Sequence, residues 1–160
     1  AIQGLITSTG QKPVRTALFS GEPYSKKKYV VEQLAERVVV AKLIVQDLLF
    51  FGIKSEFVTD TMEGKFPNSV IVMMGCSGLY IEDMAQAFVQ KGASSYIGWD
   101  ADVGLDYVDE ATTYLVKQLS QFGVTIGEAV RSTNKVVGPD PEYGATLKYF
   151  PPQSADKTLR

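Results

Sequence analysis

Apolar and polar positions alternate with different periods along this chain. Residues 1–24 are rich in Gly, Ser, Thr and Pro. Within them Ala17-Leu18-Phe19 reads as a strand and Gly21-Glu22-Pro23 as a turn. Ser25 suits the N-cap of a helix running to about Arg37, with Tyr29, Val30, Leu34 and Val38 on its apolar side. From Val38 to Phe51 the pattern leaves helix and strand open. Val38-Val39-Val40 is β-branched, whereas Leu43, Val45, Leu48 and Leu49 fit a helix, and Gly52 is the expected stop. Ile53 to Val58 reads as a short strand and Asp60-Thr61-Met62-Glu63-Gly64 as a turn.

The second half is sharper. Val70-Ile71-Val72-Met73-Met74 is apolar at every position, as in a strand covered on both faces. It runs through Gly75-Cys76-Ser77-Gly78 into a helical pattern from Tyr80 to Lys91. Met84, Ala87 and Phe88 share one face of that helix, and Gly92 suits its C′ position. Ser94 to Trp99 is the next strand, which completes a βαβ unit. A further helix is expected from about Tyr107 to Gln121, stopped at Gly123. Thr125 and Glu128 have capping-box spacing for another, ending before Gly138-Pro139. Thr146 to Phe150 is a last strand, and residues 151–160 are expected to be a loose tail. The fold class is α/β, with one domain over residues 25–150.

Composition narrows the function. The chain has 160 residues, enough for one core, and its 45% apolar and 21% charged content is that of a globular protein. With 16 basic and 18 acidic residues it lacks the basic face that nucleic acid demands. Lys26-Lys27-Lys28 reads as a solvated helix start. No apolar stretch reaches the length of a membrane span, so no membrane insertion by this chain is expected. One cysteine rules out an intrachain disulfide and a cysteine-based zinc cluster. The absence of histidine removes Ser-His-Asp and Cys-His machinery contained within the chain. Glu56, Asp60 and Glu63 do not follow the EF-hand pattern, so neither metal nor cofactor is expected. Tyr143, Tyr149 and Phe150 read as packing aromatics beside Pro139-Asp140-Pro141, with a recognition surface as the other reading.

In α/β sheets ligands gather at the carboxyl ends of strands, and Cys76 lies at that end of the clearest strand. A following helix would stabilise its thiolate, and Gly75 and Gly78 allow a sharp turn with main-chain N–H groups for an oxyanion. Against the nucleophile stands the ordinary role of a free cysteine as a small buried apolar group. A phosphate loop over Gly75–Gly78 is a weaker reading, because the G-x-G-x-x-G spacing and the Walker lysine are both absent.

The tract Val70-Ile-Val-Met-Met-Gly-Cys-Ser-Gly-Leu79 resembles the strand and nucleophile turn of caspase-like cysteine peptidases, a group that includes gingipains, clostripain and metacaspases. The likeness continues through Ala85-Gln-Ala-Phe88, Lys91-Gly-Ala93, Tyr96-Ile-Gly-Trp99, Asp109-Glu-Ala-Thr112 and Thr125-Ile-Gly-Glu-Ala-Val130. It extends over about residues 15–152 and is similar to caspase-like domains of archaeal proteins. The resemblance implies a mainly parallel sheet flanked by helices, incomplete without an upstream segment. It implies Cys76 as the catalytic thiol, Gly75, Ser77 and Gly78 as the oxyanion turn, and Trp99, with Gly98 and Asp100, as pocket wall. Asp100, Asp102 or Asp83 in that pocket would favour Arg or Lys substrates; the plainer reading makes them loop and first-turn acids.

The family's catalytic base is a histidine on an earlier strand, and this sequence has none. The expectation is therefore that Ala1 begins part of a longer or processed peptidase, whose cellular address the sequence leaves open, secreted or cell-surface being one reading. A His-bearing segment or chain would then supply the base, and an open sheet edge would receive it. A protein or peptide is the expected substrate. The alternative is a catalytically dead module for binding or assembly, associating with copies of itself.

Overall fold

The computed structural model describes residues 15–42 and 48–159. Strands Ala17–Pro23 (β1), Val38–Lys42 (β2) and Leu49–Lys54 (β3) make an antiparallel sheet in the order β1-β3-β2. Strands Val70–Val72 (β4), Ser95–Trp99 (β5) and Leu147–Phe150 (β6) make a second, in the order β4-β5-β6. The helices are Val30–Leu34 (α1), Asp83–Gln90 (α2), Leu105–Leu119 (α3) and Ile126–Val136 (α4). The chain is thus a mixed α/β protein.

Its sheets are not mainly parallel. Among the described strands only β4 and β5 pair in parallel; β5–β6 and both pairings of the first sheet are antiparallel. The connections explain this. The single helix α2 is a crossover that returns the chain beside β4 in the same direction, whereas two helices between β5 and β6 send it back against β5. The expected βαβ unit is present in β4–α2–β5.

β5 is the axle of the fold, buried at all five positions. Ile97 and Trp99 point into a cluster with Val108, Ala111 and Leu115 of α3 and Ile126, Ala129 and Val130 of α4. Tyr96 faces the other way, among Met84, Ala85, Ala87 and Phe88 of α2. β4 divides likewise, with Val70 and Val72 against the first cluster and Ile71 and Met73 against the second. An all-apolar strand is therefore used on both faces, although its residues are only half-buried. The Tyr96 hydroxyl is buried without a hydrogen-bond partner, and burial, then the nearby Asp83 carboxylate, pushes its pKa well up.

Local signals explain the helix ends. Gly92 has φ +100° just after α2, a stop that uses the left-handed backbone glycine adopts without strain, whereas α3 ends at Leu119 with Ser120 as its C-cap, and Gly123, φ +78°, lies in the turn that follows. Thr125 and Glu128 form the full capping box of α4.

The first half departs further from expectation. The helix from Ser25 is one short turn, α1. Of its expected apolar side, Tyr29, Val30 and Leu34 are on the surface, Leu34 being 81% exposed, and only Val38, which belongs to β2, is buried. Gln33 explains the shape: its side chain bonds the Ser25 and Lys28 carbonyls and the Tyr24 hydroxyl, replacing helical bonds with a folded loop. Gly21 to Pro23 belong to β1, where the register with β3 shifts, rather than to a turn. Gly52 does not end a segment but sits inside β3, packed against Val39, Ala17 and Ala41. The undecided tract is strand at Val38–Lys42 and Leu49–Lys54; Leu43 and Val45 lie outside the described residues. Phe57–Thr61 is a π-helical turn that takes over the end of the strand expected to Val58 and the start of the turn expected from Asp60.

The tail is not loose. Ser154 is fully buried, with its hydroxyl 2.9 Å from that of Ser95 on β5. The carbonyls of Lys157 and Ala155 accept from the amides of Ile126 and Gly127 at 2.8 and 2.9 Å. Ser154→Ala should therefore cost about 1–2 kcal/mol, a fall of roughly 2–8 °C in Tm. A change under about 0.5 kcal/mol, the size of an ordinary surface substitution, would show a tail that contributes no packing.

Candidate functional site

The turn after β4 continues along β5 before it becomes helix. Met73 N donates to Ile97 O, Leu79 N to Trp99 O and Ser77 N to Ala101 O, each at 2.8 Å. Gly98 permits this. A Cβ there would stand 3.2 Å from Gly78 C and 3.3 Å from Leu79 N, so the turn lies directly on the β5 backbone. Gly78 is equally tight, with a Cβ position 3.0 Å from Met73 Cγ. The two glycines make the close crossing possible.

This crossing delays the helix. α2 opens at Asp83 with Glu82 as its N-cap, a full stretch of turn beyond Cys76. The expected helix N-terminus directly behind the thiol is therefore not there, and no dipole argument applies to it. Cys76 sits half-buried at the carboxyl end of β4, where the sequence placed it. Its Sγ approaches the Val103 carbonyl at 3.6 Å and its side chain borders the α3–α4 cluster.

Ser77 is buried and has φ +52°, in the left-handed region. Its hydroxyl donates to Asp102 Oδ1 at 2.7 Å. Because its amide is spent on Ala101, Ser77 donates nothing to an oxyanion in this conformation.

The pocket residues implied by the resemblance have structural places. Trp99 is 1% exposed and lies edge-on to Tyr107 with ring centroids 5.4 Å apart, inside the core rather than on a cleft wall. Gly98 lies beneath the turn. Asp100 accepts from Thr146 N at 2.6 Å and Thr146 Oγ1 at 2.7 Å, and Lys148 Nζ stands 3.5 Å away. Partial burial opposes its charge, but these partners outweigh that and hold its pKa below the usual range. Asp83 lies in the first turn of α2 and accepts from Thr16 N at 3.0 Å. Of the acids considered, only Asp102 is joined to the cysteine turn by a hydrogen bond.

One residue that sequence patterning did not single out for the site is Asp140, 2% exposed. It accepts from Gly104 N at 2.9 Å, Glu142 N at 2.9 Å and Tyr143 N at 2.7 Å. Gly104 directly follows Val103, the partner of Cys76 Sγ. Burial alone would raise the Asp140 pKa; the three amides overcome it and hold the carboxyl below its usual range. The available signal was an Asp within a Gly-Pro-Asp-Pro turn, where a carboxylate commonly collects amides two and three residues on. On the same loop the exposed Tyr143 hydroxyl has its pKa raised first by a hydrogen bond to Glu142 and then by that carboxylate's charge.

Among the described residues, no group of three or more His, Cys, Asp or Glu is placed to hold a metal ion, and no helix is long and apolar enough to cross a membrane. Glu56 and Asp60 are paired instead with Lys54 and Arg37.

A carboxyl whose pKa is depressed by folding adds stability above its unfolded value, about 3.9. That stability is lost as pH falls through the folded value. Asp140→Asn should cost about 1–3 kcal/mol at pH 7, because an amide cannot accept all three N–H groups as a carboxylate does. In urea titrations the gap to the unsubstituted protein should narrow toward pH 3. A gap independent of pH would remove Asp140 as an ionised clamp. Comparison of the chain with protein-family models, curated proteins and solved structures found no match.

Proposed function

We propose that this chain is the nucleophile-bearing part of a caspase-like cysteine endopeptidase, completed by a histidine-bearing segment or chain. The observation that carries the reading is the position of β4. It is apolar throughout, half-buried, at the edge of its sheet among the described residues, and Cys76 stands beyond its carboxyl end. Met73 N points to β5, and strand residues alternate in direction, so the Val72 N–H and C=O point outward from the sheet. A further strand added there would bury the edge and bring its own carboxyl end beside Cys76. That is where a base has to stand.

In the completed site the Cys76 thiolate attacks a peptide carbonyl carbon. The C–N bond breaks and the amine leaves with a proton from the supplied histidine; water then hydrolyses the thioester and regenerates the thiol. With Ser77 N bonded to Ala101 O and Leu79 N to Trp99 O, oxyanion donors would come from Gly75, Cys76 or Gly78. Asp100 is occupied by Thr146 and Lys148, so specificity for Arg or Lys gains no support from it.

A second reading rests on the Cys76–Val103 contact: a thiol anchored to a carbonyl and bordering the core is also what a non-catalytic binding or assembly module would carry. Native mass spectrometry of protein isolated from its source separates the two. The peptidase reading expects the 17.5 kDa chain to travel with a histidine-bearing polypeptide, and that complex to cleave a mixed peptide library. Cys76→Ala in the complex should reduce cleavage by more than about a hundredfold, the scale of losing a covalent nucleophile. A chain found alone or only with its own copies, without cleavage, establishes the module instead.

A further inference from the structure

The conformation of the cysteine turn is not fixed by the turn's own sequence. Ser77 is the only residue of Gly75–Gly78 that combines a side chain with a positive φ, and serine gains nothing intrinsic from the left-handed region. What holds it there comes from the segment after β5. Ala101 O takes the Ser77 amide at 2.8 Å, and Asp102 Oδ1 takes its hydroxyl at 2.7 Å. Val103 O lies 3.6 Å from Cys76 Sγ. Three successive residues therefore grip two successive residues of the turn. Of these contacts the one to Asp102 is charge-assisted and the strongest in kind. Asp102 itself is exposed and belongs to neither core cluster. Its side-chain hydrogen bond is spent on Ser77.

We infer that Asp102 is a positioning residue for Cys76. By accepting from Ser77 Oγ it keeps Ser77 left-handed, which directs the adjacent thiol toward Val103 and sets how far Sγ is open to an electrophile. Its importance for catalysis rests on the peptidase reading; its control of the thiol does not.

Cys76 is the only cysteine, so the rate of iodoacetamide alkylation of the native chain reads one atom. Sulfur displaces iodide in that reaction, and no histidine is needed. Asp102→Ala should raise the rate about threefold to tenfold, the effect of losing one such hydrogen bond, and Asp102→Asn, which keeps a neutral acceptor for Ser77 Oγ, should raise it less. The melting temperature should fall by no more than the few degrees that one lost hydrogen bond costs. Ser77→Ala should give a similar increase, and the S77A/D102A double variant less than about twofold more.

Removing a negative charge near a thiol also speeds alkylation through space, so a glycine background is required. Glycine adopts φ +52° without help. In S77G protein, loss of Asp102 should alter the rate by less than about twofold if conformation is what Asp102 supplies. An equal acceleration by D102A in the Ser77 and S77G backgrounds, or none in either, overturns the inference. Absence of peptide cleavage by the assembled complex would sink the peptidase reading while leaving these rates as they are.

Discussion

The structure around Cys76 depends on one constraint: the segment from Asp100 to Gly104, between β5 and α3, is held at both ends by buried or half-buried carboxylate bonds. Asp100 fastens its start to Thr146, and Asp140 fastens its end through the Gly104 amide. Between those anchors, Ala101, Asp102 and Val103 reach across to the turn. Backbone amides and carboxylates do here what apolar packing does elsewhere in the fold. Such bonds are directional, so they fix a loop's shape where a hydrophobic contact would fix only its burial.

The same arrangement shows why the site was only half legible. The placement of Cys76 followed from the uninterrupted apolar run Val70–Met74, a signal that needs no knowledge of neighbours. The delayed start of α2 did not follow from it, because Tyr80 and Ile81 fit a helical period. What overrides that period is a contact with Gly98, twenty residues further on, where a missing side chain lets the turn lie on β5. Trp99 shows the converse. A tryptophan at a strand's carboxyl end is compatible with a pocket wall, yet α3 returns Tyr107 over its ring and closes it into the core. Local period tells which residues seek burial, not which partner arrives to bury them.

The two halves of the chain differ in legibility for the same reason. β4, α2, β5, α3 and α4 are neighbours in sequence, and caps at Gly92 and Thr125–Glu128 write helix ends into the residues themselves. In the first sheet, β1 pairs with β3 across an intervening helix and strand, with Ala17 opposite Lys54. Pairing at that separation leaves no local signature. Gly52 then served as a place for strands to approach closely, where a sequence reading sees a breaker. The exposed apolar residues of α1 belong to the same lesson: Gln33 satisfied the loop's polar groups, and the apolar period had no say.

The tail's grip on α4 carries a dynamic consequence. An α-helix normally starts with amides free to exchange with water. Here the first two, Ile126 and Gly127, are closed by carbonyls about thirty residues away, while Ser154 plugs into Ser95 on β5. The opening of α4's first turn is thereby tied to release of the tail from the central strand. Amide protons at the two places should exchange as one cooperative unit, with a shared free energy set by the sheet rather than by helix fraying.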